Sequence, residues 1–102
     1  MGHETLHESM EVLSKKTKNM HRAIVSLIEE LEAVDWYNQR VDASENEELQ
    51  AILAHNRDEE KEHAAMLLEW IRRQDDSFDK ELRDYLFSDK SIVALEKKST
   101  LG

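Results

Sequence analysis

The stretch LHESMEVLSKKTKNMHRAIVSLIEELEAVDWY, Leu6 to Tyr37, decides the fold. Leu6, Met10, Leu13, Thr17, Met20, Ile24, Leu27, Leu31 and Val34 recur in alternating steps of four and three, and all but Thr17 are apolar. That spacing returns the side chains to one side of a helix and predicts a helix packed lengthwise on another. At its full length it would run about 45 Å. Nothing interrupts it, because the chain has no Pro and its glycines are Gly2 and Gly102.

Beyond this stretch, Gln39–Ser44 (QRVDAS) is the predicted connection. Ser44 with Glu47 matches a capping box, in which the hydroxyl caps a backbone N–H and the carboxylate reaches back. A second long helix is predicted over about 45–74 and a short third over 77–87, with Phe78, Leu82, Tyr85 and Leu86 as its apolar side. The tail 88–102 has weak periodicity and is expected to be flexible. A β or α/β fold needs turn residues that are missing here. The predicted fold class is therefore all-α, an antiparallel two-helix hairpin plus a short C-terminal helix, as a single domain over 1–102. Two long helices leave half of each stripe wet, and four-helix packing is the usual remedy. A second copy is expected to complete a four-helix bundle; a monomeric three-helix bundle is the alternative.

The 102 residues carry 23 acidic and 14 basic side chains, a formal net charge of −9. This argues against DNA or RNA, whose phosphates demand a basic footprint, and makes cations the natural partners. The absence of Cys excludes disulfides and thiolate metal sites and agrees with a reducing interior. No apolar run approaches the ~18 residues of a membrane span, and no signal-peptide pattern opens the chain. The expectation is a soluble protein of the cytoplasm or of something enclosed within it.

Polar groups on the apolar face point to chemistry. On the second helix Asn56, Glu60 and His63 share a sector of about 60° with Leu49, Ile52, Leu67 and Trp70. A carboxylate and an imidazole among apolar side chains are costly unless paired or bound to metal. Glu60-Lys61-Glu62-His63 contains Glu-x-x-His, which sets both side chains one turn apart on the same side. Di-iron carboxylate bundles use two such motifs and one Glu from each of the other two helices. This chain offers one motif and one matching carboxylate, Glu30, beside Leu27, Leu31 and Val34. That is half a set, which a two-fold axis would double. Spacing alone leaves Glu59, i, i+4 from His63, as a rival to Glu60, and an ordinary surface Glu–His pair is the bland alternative. Glu29 and Glu32 lie on the opposite side of the first helix with Val25 and Trp36, as a second contact surface with cation binding or a plain solvated acidic face. Tyr37 lies close in angle to Glu30, either as packing or as a hydrogen-bond donor to a ligating carboxylate. His3, His7, His21 and His55 fall off the seams and are expected at the surface.

The stretches HRAIVSLIEELEAVDWY (His21–Tyr37) and AHNRDEEKEHAAMLLEWIRR (Ala54–Arg73) resemble the encapsulated ferritins, and the resemblance runs over roughly 6–87. It implies a hairpin that dimerises into a ferritin-like four-helix bundle and assembles as a ring-shaped decamer, a pentamer of dimers. It implies a ferroxidase that oxidises Fe(II) with dioxygen inside an encapsulin nanocompartment of the bacterial cytoplasm, with the shell protein as partner. The family's ferroxidase ligands fall on Glu30, Glu60 and His63, which favours Glu60 over Glu59. Its metal-uptake carboxylates fall on Glu29 and Glu32, with Trp36 beside them, and its catalytic-site tyrosine on Tyr37. Iron is the metal expected at the di-iron centre, and calcium or another divalent cation at the uptake site. Family members end in a flexible linker and a docking peptide, which is not recognisable in 88–102. The rival reading is a non-catalytic oligomerisation or metal-buffering module.

Overall fold

The computed structural model describes residues 6–101, with side chains through Glu96. A 3-10 turn at Met10–Val12 precedes four α-helices: α1 Lys15–Ala43, α2 Glu47–Gln74, α3 Asp76–Tyr85 and α4 Ile92–Leu101. No strand occurs among the described residues. The fold is all-α, with two long helices forming a hairpin and short helices after it. The described residues cluster into two compact units, one through Trp70 and one from Ile71, where the sequence predicts a single domain.

Local chemistry moves several predicted boundaries. The first helix starts at Lys15 and not at Leu6, because Ser14 is extended and its hydroxyl accepts from the Thr17 N–H at 3.1 Å. That bond satisfies one of the donors a helix start leaves orphaned. Leu6, Met10 and Leu13 of the predicted stripe thus precede α1. At its other end α1 continues through the predicted connection to Ala43, since QRVDA contains no breaker, and stops where the extended Ser44 donates to the Arg40 carbonyl. The capping box is corrected too. Asn46 caps α2, its Oδ1 accepting from the Leu49 N–H at 2.9 Å, while the Ser44 hydroxyl serves the Asn46 N–H. Only three residues separate the long helices, so they return antiparallel.

The first unit holds most of α1 and α2. Polar contacts cross the hairpin, among them Gln50 to Val41, Arg57 to Asn38 and His63 to Glu30. The partners move down α1 as they move up α2, which fixes the antiparallel sense. Ala23, Val25 and Ala64 are the buried apolar residues of this unit. The predicted apolar faces are only partly covered: Ile24 and Leu31 on α1, and Leu49, Ile52 and Trp70 on α2, are exposed.

In the second unit α3 runs from Asp76 to Tyr85, one residue earlier at its start than predicted and two at its end. Asp75 caps it, accepting from the Phe78 N–H at 2.9 Å. Phe87, with φ of 61°, is in the left-handed region and cannot continue the helix. The tail predicted as flexible contains α4, and its first residues, Ile-Val-Ala-Leu-Glu, include good helix formers. Within this unit Asp79 accepts from Arg72 and from Arg83 Nε, the latter at 3.0 Å. The Arg72 bond first, then the Arg83 bond, holds the Asp79 carboxyl below the ordinary aspartate value of 3.8. A carboxyl depressed in the folded state stabilises above its unfolded pKa and loses that contribution as pH falls through the folded one. Asp79→Asn should therefore speed amide exchange in α3 at neutral pH. The difference from the parent should shrink as pH falls below 3.8 and vanish once Asp79 is protonated in the folded state too; a difference that persists in acid would show that charge is not the cause.

Candidate metal centre

Glu30 lies in the middle of α1, and Glu60 and His63 lie one turn apart on α2. The hairpin brings the three together. His63 Nδ1 is 3.6 Å from Glu30 Oε2 and 3.6 Å from Glu60 Oε1. Both separations are beyond a hydrogen bond, which weakens past about 3.2 Å for a nitrogen donor. Each side chain offers one donor atom to a set that lies within 4.8 Å. The Glu30 and Glu60 side chains are 25% and 24% exposed, and His63 is 46% exposed.

Among the described residues, one buried side-chain polar atom lacks a hydrogen-bond partner, and it is Glu30 Oε2. Leaving such an atom unsatisfied costs about 1–3 kcal/mol. A cation resolves this: carboxylate oxygens and an imidazole nitrogen bind a first-row metal at about 2.0–2.2 Å, so donors 3.6 Å apart can share one ion. The donor set fits iron, since carboxylates suit hard Fe(III) and imidazole suits both oxidation states.

The other predicted residues divide. Glu59, the rival in spacing, faces another way. It pairs with His55 Nε2 at 3.5 Å and is 48% exposed. With Glu62 it forms a second, outer grouping that shares His63. Glu29 is exposed, Glu32 is half-buried and Trp36 is exposed. Val25, placed by angle on the same outer side, is instead buried. The structure does not bring Tyr37 to the three; its half-buried ring carries the Arg40 guanidinium 5.4 Å from its centroid. Asn56 is half-buried on the same face as Glu60. His7 and His55 are exposed, His21 is half-buried, and His3 lies outside the described residues.

Sequence reasoning overlooked Gln50 and Arg57, whose side chains cross the hairpin. Their signal is a seven-residue spacing with Ala64, visible only once the side of α2 that meets α1 is known.

Comparison with known proteins finds relatives of the chain. The EncFtn-like family matches residues 5–89. An encapsulated ferritin-like protein of Rhodospirillum rubrum is 65% identical over 96 residues, covering 94% of this chain and 69% of that protein. The encapsulin nanocompartment cargo protein EncC of Myxococcus xanthus is 50% identical over 46 residues, covering 45% of this chain and 35% of that protein. The crystal structure of protein ne0167 from Nitrosomonas europaea is 70% identical and matches with a TM-score of 0.83, covering 85% of this chain and 96% of that one.

Proposed function

This chain belongs to the EncFtn-like family, the encapsulated ferritins, and on that premise we propose that it oxidises Fe(II) to Fe(III) with dioxygen, at a di-iron site that two copies complete. The observation that supports this most directly is the buried, unsatisfied Glu30 Oε2 beside His63 Nδ1. A carboxylate left in that state is costly in the single chain and useful with a cation.

One chain offers two carboxylates and one imidazole, half of what a di-iron carboxylate bundle uses. The exposed Leu49, Ile52 and Trp70 share the side of α2 that carries Glu60 and His63. Association through that side by a two-fold axis would bring the second Glu30, Glu60 and His63 to the first. Each Fe(II) gives up one electron, so a pair supplies two to dioxygen. The protein's own residues do the rest: Glu30 and Glu60 hold the substrate ions and favour the harder product, and His63 orients them from the same turn as Glu60. Glu29, Glu32 and Trp36 are proposed as the uptake site, where calcium or another divalent cation could bind, fed by the acidic surface. Tyr37 is proposed as a hydrogen-bond donor to a ligating carboxylate once the second copy is in place.

The names of the relatives carry the setting. A cargo protein of an encapsulin nanocompartment and an encapsulated ferritin-like protein are similar to this chain. We read it as cargo of an encapsulin shell in the bacterial cytoplasm, assembled as a ring-shaped decamer of five dimers. Among the described residues no helix is long and apolar enough to cross a membrane.

The test is exposure of the anaerobic protein with Fe(II) to air, followed by Fe(III) absorbance and dioxygen uptake together. Binding without turnover above buffer would favour the metal-buffering module instead. A stability prediction follows from the same atom. Glu30→Leu should raise the melting midpoint of the metal-free protein by several degrees, because an unsatisfied carboxylate is replaced by an apolar side chain. It should also abolish the midpoint rise on adding divalent metal. A fall in the metal-free midpoint would mean that Glu30 is already compensated.

A further inference from the structure

We propose that Gln50 and Arg57 are positioning residues that fix the register of α2 on α1, and through it the meeting of Glu30 with Glu60 and His63. The inference rests on the metal-site reading above. Gln50, Arg57 and Ala64 recur every seven residues and so form one line along α2. Ala64 is buried, and Gln50 and Arg57 are half-buried. This line meets α1. Gln50 Nε2 donates to the Val41 carbonyl at 3.0 Å and to the Ser44 carbonyl at 2.5 Å. Arg57 Nη1 donates to Asn38 Oδ1 at 3.0 Å, while its Nε reaches Asp58 at 3.2 Å.

A seam of this kind ordinarily takes apolar side chains, and small or branched ones pack nearly as well one turn up or down. A directional donor does not, which is why single polar residues in helix seams specify register at some cost in stability. The two donors here find different kinds of partner. Val41 is in the last turn of α1, where carbonyls have no intrahelical donor, so Gln50 caps α1 from the following helix. Arg57 finds a side-chain amide one turn earlier on α1. Arg57 also precedes Glu60 by one turn on α2. A slip of a single turn, about 5.4 Å, would strand both donors and carry Glu60 and His63 past Glu30. The 3.6 Å approach of His63 to Glu30 leaves no room for such a slip.

The test pairs a distance with a metal titration, using full-length assembled protein. Spin labels at Gln39 and Lys61, both exposed, report the register when labelled chain is diluted into unlabelled chain so that only intrachain pairs are read. Co(II) added alone reports the site by its absorption. In Gln50→Leu/Arg57→Met the circular dichroism of the helices should persist. The label separation should broaden or shift by up to about one turn's rise. Co(II) affinity should fall about tenfold, a change of ~1.4 kcal/mol. The exchange Asn38→Arg/Arg57→Asn in the Gln50 background rebuilds the pair in the opposite sense and should restore both readouts, which a merely stabilising role would not require. Should the double variant fail to fold, Arg57→Lys keeps a donor and should hold both readouts within about twofold, while Arg57→Met should not. An unchanged label separation overturns the proposal, as does a shifted separation with unchanged Co(II) affinity. If Glu60→Ala leaves Co(II) binding intact, the metal-site reading itself fails, and the label separation alone then decides the clamp.

Discussion

Glu60→Ala and His63→Ala should each lower the rate of Fe(II) oxidation by about 100-fold or more, to near the protein-free background, which corresponds to roughly 2.7 kcal/mol or more of lost transition-state stabilisation. The size follows from symmetry. In the proposed two-copy site each substitution would remove two donors of six, one from each copy, and the remaining groups would not hold a pair of irons in place. The loss should not be one of folding. His63 is 46% exposed and at 3.6 Å makes no hydrogen bond to either carboxylate, so truncating it opens no cavity and strands no partner. His7→Ala, at an exposed position of α1's N-terminal approach, should oxidise iron at the parent rate. Oxidation by both site variants at the parent rate would end the assignment of the site.

The second large effect concerns association. Ile52→Asp should leave the single chain helical, because Ile52 is half exposed there, and should still abolish oxidation. Ile52 lies on the side of α2 that carries Glu60 and His63, so in the proposed dimer it is covered by the other copy. Losing its burial and placing a carboxylate in the seam should weaken the dimer by at least about 100-fold. Native mass spectrometry should then show monomer under conditions where the parent associates, with Fe(II) oxidation lost in proportion. A monomeric variant with full activity would show that one chain suffices. A parent that is monomeric with and without metal would remove the shared site altogether.

Much of the fold was legible because helix formation is local. The four-and-three spacing from Met20 to Val34 required a helix, and the absence of internal Pro and Gly left it unbroken. Glu-x-x-His placed two donors on one side of the second helix for the same reason. The errors also have local causes. Ser14 lies inside the longer four-and-three repeat, although its hydroxyl caps α1. Ser44 and Asn46 compete for the same start, and Asn46 wins because its Oδ1 reaches the Leu49 N–H. The helix in the tail is not legible from periodicity, because its weak apolar period hides good helix-forming composition.

Angle along one helix could not choose between Glu59 and Glu60, because both lie near the face. The structure distinguishes their surroundings: Glu60 shares His63 with Glu30 of the other helix, and Glu59 pairs outward with His55. Distance between helices is not encoded in either helix's own periodicity. It depends on where the hairpin turns and on which polar groups in the seam find partners, here Gln50 and Arg57.

By itself, then, the sequence determined that the chain is helical, that its helices are long, and that carboxylates and an imidazole lie on one apolar side. These follow from side-chain repeat and backbone propensity, which act within a few residues. Tertiary structure alone decided that Glu30 meets Glu60 and His63, that Glu30 Oε2 is buried without a hydrogen-bond partner, and that Leu31, Ile52 and Met66 stay exposed. Those facts depend on the packing of residues some thirty positions apart, where a slip of one turn would keep every helix and lose the site.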